Sequence, residues 1–162
     1  MSTLSVDTIQ GKTTASNVIM PTGHVLQVKR ASRNSTSHET FSSTSFATST
    51  LTLSLTPKAS GNKVIVQCTI GVGNYSGGSG HADTALYIDG SNVSSTNGGS
   101  AYFWSGYWDS NRADHGASGY YEYTTVDTNA HTFALYCKVT TDGNFYIHKG
   151  ASHSLVCTEI QS

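Results

Sequence analysis

Apolar residues recur at every second position along several stretches of this chain, and that spacing constrains the fold more than any other feature. Leu51, Leu53 and Leu55 alternate with Thr52, Ser54 and Thr56. Val64, Val66, Cys68 and Ile70 alternate with Ile65, Gln67 and Thr69, and Phe133, Leu135, Cys137 and Val139 alternate with Ala134, Tyr136 and Lys138. Successive side chains of an extended strand point to opposite faces, so such runs bury one face and leave the other polar or weakly covered. The pairs Leu86/Ile88 and Phe145/Ile147 follow the same rule. Apolar residues at helical spacing over ten or more positions occur nowhere. The spacing predicts an all-β domain.

Turn-forming residues separate the runs. Asp89-Gly90, Asp142-Gly143-Asn144 and Ser60-Gly61-Asn62 tolerate the positive φ angles of tight turns, and Pro57 closes the run that ends at Leu55. Strands are expected near 23–30, 40–46, 50–56, 63–72, 84–89, 101–105, 119–125, 131–140, 144–149 and 153–160. Many short strands with frequent turns suit a sandwich or jelly roll. Residues 73–83, 90–100 and 105–118 are read as exposed loops. Residues 1–21 carry Leu4, Val6, Ile9, Val18 and Ile19 at irregular spacing, too little apolar surface for a core of their own. They read as an extended arm that orders on a partner surface, ahead of a head domain at 22–162.

Composition narrows the function classes. The 162 residues include 24 Ser and 22 Thr but only 12% charged residues, with a formal net charge of −1, and no apolar run is long enough to cross a bilayer as a helix. Lys29, Arg30 and Arg33 form the one basic cluster, a weak footprint for nucleic acid, so neither nucleic acid nor membrane insertion is expected. Residues 1–20 lack the charged start and apolar stretch of an export signal, which points to folding in a reducing compartment. Asn-x-Ser/Thr triplets at Asn34, Asn74 and Asn92 are then chance matches. Cys68, Cys137 and Cys157 sit in alternating apolar runs without metal or redox spacing and read as buried thiols. A Cys137–Cys157 bridge stays open if their strands are neighbours.

Three segments carry a family resemblance. Thr3-Leu4-Ser5-Val6-Asp7-Thr8-Ile9-Gln10 with Met20-Pro21-Thr22-Gly23-His24-Val25-Leu26-Gln27-Val28 is the first, and Thr56-Pro57-Lys58-Ala59-Ser60-Gly61-Asn62-Lys63-Val64-Ile65-Val66 the second. Ser154-Leu155-Val156-Cys157-Thr158-Glu159-Ile160 is the third. Together they resemble bacteriophage tail-fibre and fibre-like virion proteins of the marine and cyanobacterial type. The resemblance implies a homotrimeric jelly-roll head of the C1q/TNF-like group, attachment to other virion proteins through residues 1–21, and a virion location. A chain this short has no room for a long shaft between anchor and head. The expected role is a short tail fibre or fibre-like appendage contacting the host surface; the alternative is a capsid decoration or tail-joint protein.

Candidate binding residues follow from aromatic clustering at Ala101-Tyr102-Phe103-Trp104-Ser105-Gly106-Tyr107-Trp108 and at Tyr120, Tyr121 and Tyr123. Aromatic rings stack on sugar faces at small entropic cost. Tyr102, Trp104, Tyr121 and Tyr123, on expected strands, read as packing residues; Tyr107 and Trp108 suit packing or binding equally. With Asp109, Asn111, Arg112, Asp114 and His115 they form an expected glycan-contact surface on the 105–118 loop. His24, His81 with Asp83, and His148 with His153 are read as hydrogen-bonded or solvated side chains, because a closed metal site needs three or more convergent ligands. No metal, cofactor or enzymatic activity is expected: nucleophile-elbow, phosphate-loop and zinc-protease spacings are missing.

Overall fold

The computed structural model describes residues 22–74, 80–93, 104–108, 114–140, 144–147 and 153–162, and the regular elements among them are all β-strands. In chain order these are β1 (Val25–Arg33), β2 (Glu39–Phe41), β3 (Ala47–Leu55), β4 (Lys63–Asn74), β5 (Gly80–Ile88), β6 (Ser91–Asn92), β7 (Trp104–Trp108), β8 (Asp114–Thr124), β9 (His131–Val139), β10 (Phe145–Ile147) and β11 (His153–Ile160). They form two antiparallel sheets. In the first, β4 is central: β8 pairs along one edge from Lys63↔Thr124 to Gly73↔Asp114. β11 and β10 lie end to end along the other edge of β4, and β1 and β2 pair outside them. The second sheet runs β3-β9-β5, with β6 and β7 sharing the far edge of β5.

The alternating runs explain why the sheets face each other. Val64, Val66, Cys68 and Ile70 from β4 and Leu155 and Cys157 from β11 meet Leu51 and Leu55 of β3, Leu86 of β5 and Phe133, Leu135 and Cys137 of β9 in one buried cluster. Each such side chain contributes about 1.5–3 kcal/mol by leaving water. Tyr121 and Tyr123 pack on this cluster from β8, in line with their reading as packing residues. The three cysteines are buried and unbridged, with Cys137 in one sheet and Cys157 in the other. Burial pushes the Cys68 and Cys157 thiols up to about 12 and that of Cys137 well above its ordinary value.

Turn chemistry accounts for the tightest connections. Asp89 and Gly90 take φ of 50° and 78°, the left-handed pair that a two-residue hairpin between β5 and β6 requires. Gly61 takes φ of 88°, and its N–H donates to the carbonyl of Thr125 at 2.8 Å, which ties the β3–β4 turn to the end of β8.

That turn also closes over a buried acid. Glu159 of β11 is fully buried, and its Oε1 accepts the Lys58 backbone N–H at 2.8 Å and the Asn62 amide at 2.7 Å. Its Oε2 accepts the Gln27 amide at 2.6 Å. Gln27, Lys58, Asn62 and Glu159 come from the three separate segments that carry the family resemblance. These four residues hold β1, the β3–β4 turn and β11 together.

Several strand limits differ from the sequence reading. The expected strand at 40–46 ends at Phe41, because Ser43 and its neighbours hydrogen-bond locally: the Ser45 N–H donates to Ser43 Oγ at 3.0 Å. The span 105–118 is not one loop. Residues 104–108 are β7 and 114–118 begin β8, which leaves 109–113 between them, outside the described residues. Glycine and serine there imitate a loop, but β4 is long enough to pair with Gly116, Ala117 and Ser118 through Gly71, Ile70 and Thr69. Residues 1–21, the expected arm with Leu4, Val6, Ile9, Val18 and Ile19, also lie outside the described residues.

Candidate functional site

The outer face of the second sheet gathers charge and aromatic surface in one place. On β5 the residues Ala82, Leu86 and Ile88 join the core, so the opposite parity, His81, Asp83, Ala85 and Tyr87, belongs to the outer face. On β9 the outer positions are Ala134, Tyr136 and Lys138. Register sets Asp83 against Lys138 and Ala85 against Tyr136. Tyr87 and Tyr136 stack with ring centroids 3.8 Å apart and planes at 20°. Phe46, just before β3, meets Tyr87 edge-on at 5.9 Å, and the Lys138 ammonium lies 4.9 Å from its ring centroid. The three rings are half-buried, a platform whose outer edges meet solvent.

Asp83 is the electrostatic centre of this face. It is fully buried, and among the described residues neither carboxylate oxygen has a hydrogen-bond partner. Lys138 Nζ stands 3.4 Å from one oxygen and His81 Nδ1 stands 3.5 Å from the other, at ion-pairing distance without hydrogen-bond alignment. A buried carboxylate of this kind relies on neighbouring cations to offset its desolvation. Lys138 is thereby held over Phe46 with part of its length in solvent.

The sequence-derived glycan residues divide between the two sheets. Tyr107 lies on β7 opposite His81, beside the register pair Ser105↔Asp83, and Trp108 lies opposite Gly80. Asp114 and His115 begin β8 in the other sheet, opposite Gly73 and Val72. Asp109, Asn111 and Arg112 fall outside the described residues. Phe46, Asp83, Tyr87, Tyr136 and Lys138 were not singled out as binding residues from sequence. The signal was present for two of them, since Tyr136 and Lys138 occupy the polar parity of the strongest alternating run.

The outer face of the first sheet has the opposite character. Three rows cross it: Arg30, Val156, Gln67 and Tyr120; Val28, Thr158, Ile65 and Glu122; Ser32, Ser154, Thr69 and Ser118. Arg30 and Glu122 stand at the ends of these rows, and in a fourth row Lys63 of β4, between Ile160 and Thr124, pairs with Glu122 at 2.6 Å. Val28 and Tyr120 are 57% and 59% exposed, and between the charged positions the face is made of hydroxyl, amide and β-branched side chains. Such a surface loses little by being covered.

Two turns at one end of the domain meet at a buried histidine. His131 Nδ1 lies 2.6 Å from Asp89 Oδ2, and its Nε2 lies 3.2 Å from Asp127 Oδ1. Burial acts to raise the Asp89 carboxyl, but hydrogen bonds from His131 and from the Thr132 N–H outweigh it and hold the group below the ordinary carboxylate range. Asp127 is lowered chiefly by the Asn129 N–H at 2.7 Å. His153, one half of the His148/His153 pair, accepts the Gly71 N–H at Nδ1 over 3.0 Å. Among the described residues no three His, Cys, Asp or Glu side chains converge on one point as metal ligands would.

These features define an all-β domain of two facing antiparallel sheets, with one smooth and one aromatic outer face. Neither a protein-family profile nor a curated protein matches the chain.

Proposed function

We propose that this chain is a bacteriophage virion appendage protein, a short tail fibre or fibre-like protein whose trimeric jelly-roll head contacts the host surface. The strand succession carries the reading. The chain passes between the sheets in the order β1, β3, β4, then the hairpin pair β5 and β7, then β8, β9 and β11, so that β1-β11-β4-β8 faces β3-β9-β5-β7. Alternation of the chain between two facing antiparallel sheets supports the jelly-roll head that the sequence resemblance implies.

The smooth face of the first sheet supports self-association. A β-sheet with exposed edges gains from being covered, and a lasting assembly needs an interface of roughly 1,000 Å² or more. A trimer would present three copies of the aromatic face together, so weak contacts gain strength through avidity. In this reading Phe46, Tyr87, Tyr136 and Lys138, with Tyr107 in register beside them, form the host-contact face. Leu4, Val6, Ile9, Val18 and Ile19 dock the arm on other virion proteins.

Adsorption competition is the test. Excess purified protein blocks infection if the head contacts the host. Particles that adsorb normally in its presence, yet leak DNA when the chain is absent, assign it instead to a capsid decoration or tail-joint role.

A further inference from the structure

A second binding feature lies away from the aromatic face, where β1 ends, β2 begins and β3 is interrupted. A cleft of about 420 Å³ opens there, lined by Ser32, Arg33, Ser35, Ser37, Glu39 and Thr50, with Asn34 and His38 completing it. That volume falls within the ~300–1,000 Å³ range of small-ligand sites.

Its polar groups are fixed in place before any ligand arrives. Arg33 is buried, with Nε 3.3 Å from Glu39 Oε2 and a terminal nitrogen donating to the Ser37 carbonyl at 2.6 Å. Glu39 also accepts the Thr50 N–H at 2.7 Å and the Thr50 hydroxyl at 2.8 Å. Ser35 Oγ accepts the Ser37 N–H at 3.2 Å and so shapes the connecting loop. The His38 ring rests 5.4 Å from that of Tyr146.

The backbone is irregular at the same point. Pairing of β3 with β9 shifts register between Thr48 and Thr52, and within that gap the Thr50 N–H turns to Glu39. Bulges of this kind re-aim side chains and concentrate near functional sites.

The chemistry of the lining selects the ligand class. Arg33 would attract an anion, but the Glu39 carboxylate beside it offsets that charge. Glu39 would attract a cation, but its two oxygens already receive Arg33 and both donors of Thr50. Among the described residues no Val, Leu, Ile or Met side chain lines the cleft, and its apolar surface is the carbon of short polar side chains, the Arg33 stem and the His38 ring, a mixed surface of the kind a sugar ring presents. The hydroxyls of Ser32, Ser35 and Ser37, the Asn34 amide and the His38 ring remain, groups that between them donate and accept, which matches a neutral polyol whose own hydroxyls do both. The geometry points to a subsite for an uncharged sugar unit between β1, β2 and the β3 bulge. The inference extends the host-glycan reading above and rests on it for the source of the sugar, while placing the contact at a different point on the head.

The test is amide NMR of the full chain titrated separately with methyl glucoside, methyl galactoside, glucuronate and inorganic phosphate. Saturable shifts at residues 32–39 and 50 with a neutral methyl glycoside, and not with glucuronate or phosphate, are expected. Asn34→Ala and Ser37→Ala, both at exposed positions, each weaken that binding roughly three- to tenfold, the loss of one hydrogen bond. Glu39→Gln unmasks Arg33 and turns the preference toward glucuronate; its amide dispersion shows whether it is folded, and the two serine and asparagine variants carry the test if it is not. No saturable shift in the cleft, or shifts only with glucuronate or phosphate, overturns the inference. Shifts confined to the His81–Lys138 face also overturn it while leaving the host-glycan reading intact. An adsorption block that survives Asn34→Ala with Ser37→Ala overturns the cleft as a host contact and leaves the host-glycan reading standing.

Discussion

Replacing Glu159 by glutamine changes one atom of a fully buried side chain and reverses its role at that atom. The carboxylate receives three donors: the Lys58 N–H at 2.8 Å, the Asn62 amide at 2.7 Å and the Gln27 amide at 2.6 Å. A glutamine amide oxygen can retain the first two, but its NH2 then faces the Gln27 NH2, donor against donor. One charge-assisted bond is lost, worth about 1.5–3 kcal/mol, and the two that remain lose their ionic character. The sum is about 2–4 kcal/mol. At roughly 2–4 °C per kcal/mol for a chain of this size, Glu159→Gln lowers the melting temperature by roughly 5–15 °C. Circular dichroism melts at one fixed protein concentration measure this, since self-association makes the midpoint concentration-dependent. A midpoint within about 2 °C of the unmodified protein, less than ~1 kcal/mol on the same scale, refutes the claim that Glu159 ties the three segments together.

Three further outcomes follow from the packing and the titrating groups. Lys138→Met removes the ammonium that stands 3.4 Å from the buried Asp83 and destabilises by roughly 3 kcal/mol in urea unfolding, while Asp83→Asn in the same chain recovers much of the loss; additive losses contradict the pairing. The Asp89 carboxyl is held below its ordinary value, so its stabilising contribution is complete above about pH 4, the unfolded value, and disappears as pH falls through the lower folded one. An acid melting series for Asp89→Asn is flatter over that window than that of the unmodified protein, and parallel curves contradict it. Burial raises the thiols of Cys68 and Cys157 to about 12, so dithiobisnitrobenzoate at pH 8 labels the folded chain slowly and all three cysteines once unfolded. Rapid labelling of the folded chain contradicts the burial.

Sequence and structure agree where a strand has one apolar parity and fail where it does not. β4, β9 and β11 are legible because Val64 to Ile70, Phe133 to Val139 and Leu155 to Cys157 each keep strict alternation, and Asp89-Gly90 states its own turn. β7 and the first half of β8 are not legible. Their pairing is imposed by β5 and β4, and glycine, serine and alanine carry no periodic signal of their own. The aromatic face was half visible. Tyr136 and Lys138 stand on the polar parity of a clear strand, but Phe46 and Asp83 join them only through strand order, which alternation does not encode. Asp83 in particular reads as an ordinary surface acid until β9 and β7 flank it. The Arg33–Glu39 cleft depends on a register break in β3, a long-range event that local composition does not announce.

Sedimentation equilibrium of the full chain at micromolar concentration, alone and with Gln67→Glu and Thr69→Lys introduced at the centre of the smooth face, bears most directly on the idea of a self-associating head. Three chain masses are expected for the unmodified protein and one for the doubly substituted protein, with β-sheet circular dichroism retained in both. A folded single chain in the first case, or an undiminished trimer in the second, contradicts it.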